Sequence, residues 1–447
     1  MADDAPKAYA ELEVGLHHRD ADVYTVEPRF IQPDSDDEKR LEPGLASFNI
    51  DELDKLATEN PAAYGKTLAN SFFADANVKS AFDQARASAG SLNAPLRLRL
   101  FIGPSAPDLH NLRWETLCDP QDGTPLLMGE QILFSRYLSS ADWRRVQLRP
   151  QGTLRALVVI ANPNLERYPS LTPLNVQDEL GRATTGLGNI KATALFGGSA
   201  NLNNILTNLR EGYDILYIVA HGTLKEGEPY LWLEDEQGAV ARVSGKELES
   251  QIKELADRPR LVALISCQSA GTGTNSGSDG GALAGLGPRL AKAGIPAVIA
   301  MQGNVSFDTI EAFLPVFFAE LQRDGQIDRA IALARGRVRD QPDAWMPALF
   351  LRLRSGRMWY DPGFIGEFEK WPALLSSIES GECTPLIGTN LSEALLGSSY
   401  EIAGKWAETY RYPMAPHERE DLPQVAQFVA VNQDLRFLQD ELSNHIR

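Results

Sequence analysis

A chain of 447 residues is too long for one ordinary hydrophobic core and implies two or three domains. Hydrophobic residues make up 43% and charged residues 23%, as in globular proteins. The net charge of −17 and a pI near 4.9 exclude the basic footprint that unspecific nucleic-acid binding requires. The acidity reads first as a device for solubility and second as an attraction for a basic partner. The three cysteines, Cys118, Cys267 and Cys383, are widely spaced and odd in number. They make neither a disulfide framework nor a metal-ligand set and suit a reducing compartment. No stretch is apolar and long enough to span a membrane. Met1-Ala2-Asp3-Asp4 lacks the basic and apolar parts of a signal peptide, so a soluble, cytoplasmic protein is expected.

In chain order, residues 1–95 read as a polar, mixed and partly helical region. Pro33 to Arg40 forms a solvated loop, and Asp51–Ala57 and Ala76–Ala89 have helical spacing. Leu96 to Ile102 alternates apolar and charged residues, as a half-exposed strand does, and Ile132 to Tyr137 is its expected partner. From Thr153 onward, short apolar runs alternate with helical segments. Strands are expected at Leu154–Ala161, Ala192–Phe196, Asp214–Ala220, Leu261–Ile265 and Ala297–Met301. Helices are expected at Val176–Leu187, Leu202–Leu209, Gly245–Ala256, Ala282–Ala293, Ser306–Arg323 and Ile327–Val338. Tyr230–Leu233 and Ala239–Val243 fit a hairpin around Asp235-Glu236-Gln237-Gly238, and Gly271–Gly281 is a glycine- and serine-rich loop. Such alternation implies a largely parallel sheet covered on both faces. Residues 361–447 read as a short α/β extension. They hold a strand and turn over Ile378–Asn390, a helix ending at Tyr410 and a helix over Asp421–Leu442, and suggest an incomplete second module.

Two of the expected strands end in reactive side chains. One closes at Val219-Ala220-His221-Gly222, the other at Ile265-Ser266-Cys267-Gln268-Ser269. Functional groups of open α/β sheets gather at the carboxyl ends of strands. If these strands are neighbours, His221 and Cys267 make a thiol nucleophile and its base. A thiol near its reference pKa of about 8.5 is mostly protonated at neutral pH and needs such a base or cation. The backbone N–H groups of Gly222 and Cys267 are the natural donors to an oxyanion. Read singly, a strand-end cysteine or histidine is a packing residue more often than a catalytic one.

The same motifs, His221-Gly222 and Ser266-Cys267-Gln268-Ser269-Ala270, resemble the CHAT family of caspase-like peptidases, relatives of caspases and separases. The likeness extends through Leu109 and Leu112-Arg113-Trp114-Glu115-Thr116-Leu117, through Ala293–Gln302, and through Ala330–Arg337 and Trp345–Leu351. In all it covers about Leu96–Arg357. Two departures stand out. Many relatives carry an aromatic pair and alanine-glycine before the histidine, where this chain has Tyr217-Ile218-Val219-Ala220. Asn-Ala-Cys is also commoner than Ile265-Ser266-Cys267. Neither departure removes a catalytic atom.

The resemblance implies a caspase-like three-layer α/β sandwich with a mostly parallel central sheet, spanning residues 96–360 with the dyad in 153–357. It also implies peptide-bond cleavage without metal or organic cofactor. His221 would act as general base and then acid, or mainly as proton donor to the leaving amine; the sequence leaves both open. The implied partners are a protein substrate and a protein activator or regulator, with no nucleic acid, in bacterial defence or cell death. Asp279, Glu234 and Asp235 are candidate specificity acids for a basic substrate residue, against the plainer reading of solvated loop charges. Cys118 and Trp114 read as structural, and His110 and His417 lack metal-site spacing. Gly271–Gly281 lacks the lysine of a phosphate-binding loop. Gly381–Asn390 weakly resembles the opening of sirtuin-like NAD-binding modules. The alternatives are therefore a catalytically silent caspase-fold interaction module and an NAD-processing effector.

Overall fold

The computed structural model describes residues 9–32, 38–137, 146, 148–169, 171, 173–265, 282–303, 305–360, 371–381, 399–413 and 422–432. The chain divides into two compact units, Met1–Ile365 and Gly366–Arg447.

The first unit opens with four strands, β1 (Ala10–Asp20), β2 (Val23–Ile31), β3 (Glu38–Arg40) and β4 (Gly44–Ser47). Three helices follow, α1 (Ile50–Glu59), α2 (Pro61–Phe72) and α3 (Ala76–Ser91). Asn49, Asn60 and Asp75 start these helices by accepting from the backbone N–H of Glu52, Ala63 and Asn77. The region is mixed as expected, with helices over both expected spans, but its strands carry an apolar core where a polar stretch was expected, and Glu38–Arg40 of the expected loop is paired with β2. Leu12, Val14 and Leu16 of β1 face the helices in one apolar core, while Glu11, Glu13 and His17 alternate with them on the other face.

The change of texture at Leu96 is no break in this fold. β5 (Leu96–Ile102) pairs in parallel with β1 on one side and with β6 (Ile132–Tyr137) on the other. Nor is β5 half-exposed. Arg97 and Arg99 are buried in ion pairs, Arg97 Nε to Asp328 at 2.6 Å and Arg99 Nη1 to Glu11 at 2.7 Å. Charged residues can line a buried strand face when each finds its partner on a neighbouring element.

After a two-residue strand β7 (Arg149–Pro150), the chain winds through β8 (Arg155–Ile160), α4 (Val176–Leu187), β9 (Lys191–Leu195), α5 (Leu202–Arg210) and β10 (Ile215–Val219). A small antiparallel sheet of β11 (His221–Lys225), β12 (Glu228–Glu234) and β13 (Val240–Ser244) comes next, with the expected hairpin. Then follow α6 (Gly245–Lys253), β14 (Leu261–Ile265), α7 (Ala282–Lys292), β15 (Ala297–Met301), α8 (Phe307–Asp324), α9 (Ile327–Arg337), β16 (Pro347–Leu351) and β17 (Trp359–Tyr360), which pairs with β7. The large sheet runs β3-β2-β1-β5-β6-β16-β15-β14-β10-β8-β9, with β4 beside β2.

Strands β8, β10, β14 and β15 are apolar on both faces because both faces are covered. Val158, Tyr217, Ala263 and Ile299 pack with α4, α8 and α9 through residues such as Leu187, Phe317 and Ile331. Val159, Ile218, Leu264 and Val298 pack with α5, α6 and α7 through Ile205, Ile252 and Leu290. Gly287 lets α7 close on β16, since a Cβ there would stand 2.3 Å from the Phe350 ring. The result is the three-layer α/β sandwich with a mostly parallel sheet that the sequence implies.

The second unit contains α10 (Trp371–Glu379), α11 (Ser399–Thr409) and α12 (Leu422–Asn432), the last two closed around Trp406, Tyr412, Val425 and Val429. Ile378 and Glu379, expected in a strand, end α10 instead, and residues 382–390 lie outside the described part.

Candidate active site

Strands β10 and β14 are hydrogen-bonded neighbours, in parallel and in register. Val219 stands opposite Ile265, and on the other side of β10 it stands opposite Ile160 of β8. The Ala220 N–H reaches the Ile265 carbonyl at 3.4 Å. The two strands therefore end level, at the carboxyl edge of the sheet. His221 is two residues beyond Val219, and Cys267 is two residues beyond Ile265 in the sequence. Cys267 and Asp279 lie in 266–281, outside the described residues.

His221 opens the small sheet. In β11–β13, Leu231, Leu233 and Val243 turn into the core against Leu248, Ile252 and Leu286. Directly opposed residues share a face of an antiparallel sheet. His221 stands opposite Trp232, and Trp232 opposite Arg242, so these three project from the other face. Trp232 is buried there. Its indole N–H donates to Thr223 Oγ1 at 2.7 Å, and its ring meets Tyr168 edge-on at 4.7 Å. Gly222, expected as an oxyanion donor, is buried opposite Leu231. Sequence reasoning passed over Trp232, Tyr168 and Arg242. The hairpin's period-two alternation was the signal that could have found Trp232 and Arg242; Tyr168 lies outside the hairpin, between β8 and α4.

The candidate specificity acids have other partners. Glu234 is 1% exposed. Its carboxylate accepts from the backbone N–H of Asn162 at 2.8 Å and from that of Gly198. It therefore ties the last residue of β12 to the segments that follow β8 and β9. Asp235 accepts from the N–H groups of Gln237 and Ala239 and shapes the hairpin turn.

Away from the small sheet, the tryptophan-glutamate stretch is structural. Trp114 is buried and donates to the Leu109 carbonyl at 2.8 Å. Glu115 accepts from Arg136 Nε at 3.0 Å and from Gln302 Nε2 at 2.7 Å, and Arg136 Nη2 donates to Gln302 Oε1 at 2.7 Å. This buried network braces β6 against the residue that follows β15. Cys118 is buried and donates to the Thr116 carbonyl at 3.5 Å. Burial pushes its thiol pKa up, the wrong direction for a nucleophile. Among the described residues no group of three or more His, Cys, Asp or Glu is arranged to hold a metal ion, and no helix is long and apolar enough to cross a membrane.

The model of the CHAT domain family matches residues 62–359. No curated protein matches the chain significantly. Among solved structures, the chain is similar to the Arg-specific cysteine proteinase gingipain R (RgpB of Porphyromonas gingivalis). Identity is 11%, with 62% of this chain and 67% of that one covered and a TM-score of 0.38. It is similar to the Saccharomyces cerevisiae separase in its complex with securin, at 14% identity, 62% and 17% coverage and a TM-score of 0.36. It is also similar to the Drosophila initiator caspase Dronc, at 11% identity, 51% and 94% coverage and a TM-score of 0.31. The sirtuin-like likeness of the C-terminal segment finds no support, since the family match ends at 359. The assignment rests on the family match, which takes in β5 to β16 and both strand ends, and not on these weak structural likenesses: the chain belongs to the CHAT domain family.

Proposed function

We propose that the protein is a cysteine endopeptidase that uses His221 and Cys267 as its dyad. The observation that carries this reading is the level register of β10 and β14, which supports a histidine and a thiol two residues past paired positions. The Cys267 thiolate attacks the scissile carbonyl carbon, and the N–H groups of Gly222 and Cys267 stabilise the oxyanion. The carbon–nitrogen bond then breaks, and the leaving amine takes its proton from His221. Water hydrolyses the thioester and restores the thiol. The reading extends to a cytoplasmic enzyme that a protein activator switches on in bacterial defence or cell death. It needs no cofactor. The commitment of Glu234 and Asp235 to backbone donors moves specificity away from both, leaving Asp279 as the acid of the original three.

Cleavage of a proteome-derived peptide library, read by mass spectrometry for the intact protein beside Cys267→Ala, tests this reading. Cuts that disappear with Cys267 are expected. Equal cutting by both proteins would reject Cys267 as the nucleophile, and no cutting by either, even with host lysate added as a source of activator, would reject the peptidase.

A further inference from the structure

Arg242 stands exposed on β13 and enters no ion pair among the described residues. Its guanidinium carbon lies 4.5 Å from the centroid of the Trp232 ring and 5.2 Å from that of Tyr168. Trp232 is itself fixed by burial, by its bond to Thr223 and by the edge-on Tyr168. Stacking of this kind holds a guanidinium flat and leaves its edge N–H groups free to meet a carboxylate as a fork.

The acids on the same face of this sheet are already engaged. Glu228 pairs with Arg289 at 2.6 Å, and Glu234 is taken up by backbone N–H groups. The face that carries Arg242 is the face that carries His221, with Trp232 between them on the middle strand. Strands lie about 4.8 Å apart, so the backbone of Arg242 sits about 10 Å from that of His221, the length of about three extended peptide residues.

We propose that Arg242, braced by Trp232 and Tyr168, is a specificity residue that binds an acidic side chain of the peptide substrate about three residues from the scissile bond. The inference rests on the peptidase reading of His221, but the binding it describes can be measured without cleavage.

The probes are fluorescein-labelled hexapeptide mixtures in which one position at a time is fixed as acid (Asp or Glu), amide (Asn or Gln) or base (Lys or Arg). Binding to the full-length Cys267→Ala protein is read by anisotropy. At one position the acidic mixture is expected to bind about tenfold tighter than the amide mixture, a margin that one charge-assisted pair can supply. Arg242→Gln should erase that margin and Arg242→Glu should reverse it toward the basic mixture. A reversed preference requires a folded protein, so misfolding cannot imitate it. Indifference to the acid, or an acid preference that survives Arg242→Glu, would overturn the proposal. In cleavage assays of the Cys267-intact protein, Arg242→Gln should raise KM for acidic peptides and spare kcat. Arg242-dependent binding without any cleavage would keep the recognition and remove the peptidase, whereas cleavage indifferent to acids would do the reverse.

Discussion

His110 lies half-buried beside Arg136, whose Nη1 donates to the His110 carbonyl at 2.8 Å. Its Nδ1 is buried without a hydrogen-bond partner among the described residues. Burial, with Arg136 and then Lys292 adding to it, lowers its pKa to about 4. Unfolding returns the ring to about 6.5, so the unfolded chain binds the proton more readily. Stability is therefore full above about pH 6.5 and is lost as the pH falls toward 4. From pH 7 to pH 5 this one group should remove about 2 kcal/mol. Urea unfolding at the two pH values should show a decline that His110→Gln reduces by that amount, and an unchanged decline in the variant would contradict the assignment. The sequence placed His110 outside any metal site, but nothing in its neighbours revealed the buried Nδ1. The groups that depress it, Arg136 and Lys292, are distant in the chain, and so is Gln302 in the adjoining network with Glu115. Trp114, by contrast, was legible as core.

Among the elements, β8, β10, β14 and β15 were legible because strands covered on both faces must be continuously apolar. β1 was not, although Ala10, Leu12, Val14 and Leu16 alternate cleanly; the acids between them and the histidines after them made the stretch look polar. β5 misled in the opposite way, because the partners that bury Arg97 and Arg99, Asp328 and Glu11, come from other parts of the chain. Glu234 fell into the same gap. Its place at the end of a hairpin strand suggested solvent, yet it joins β12 to the segments after β8 and β9. Glu234→Gln keeps the volume but turns an N–H donor toward backbone N–H groups that need an acceptor. A loss of about 1–3 kcal/mol is expected by denaturant unfolding, since a buried donor is left unmade. Slower peptide cleavage should accompany it as the small sheet loosens. Unchanged stability would show that Glu234 does not tie these elements together.

Across the whole molecule, the fold class followed from strand–helix alternation, and the family from short motifs between about Leu96 and Arg357. The internal order of the sheet was harder to foresee. The first strands of the chain, ending by Ser47, extend the edge of a sheet whose two level strand ends come only at Val219 and Ile265. Those two level strand ends are the feature on which the functional reading depends, and a covalent label tests it most directly. The full-length protein would be treated with a peptidyl acyloxymethyl ketone, whose capture requires attack by an activated thiolate, and the adduct mapped by mass spectrometry. A single adduct on Cys267, slowed at least about tenfold by His221→Ala and absent from Cys118, is the predicted result. Labelling of Cys118 or Cys383 in place of Cys267, or labelling of Cys267 at the same rate without His221, would contradict the dyad.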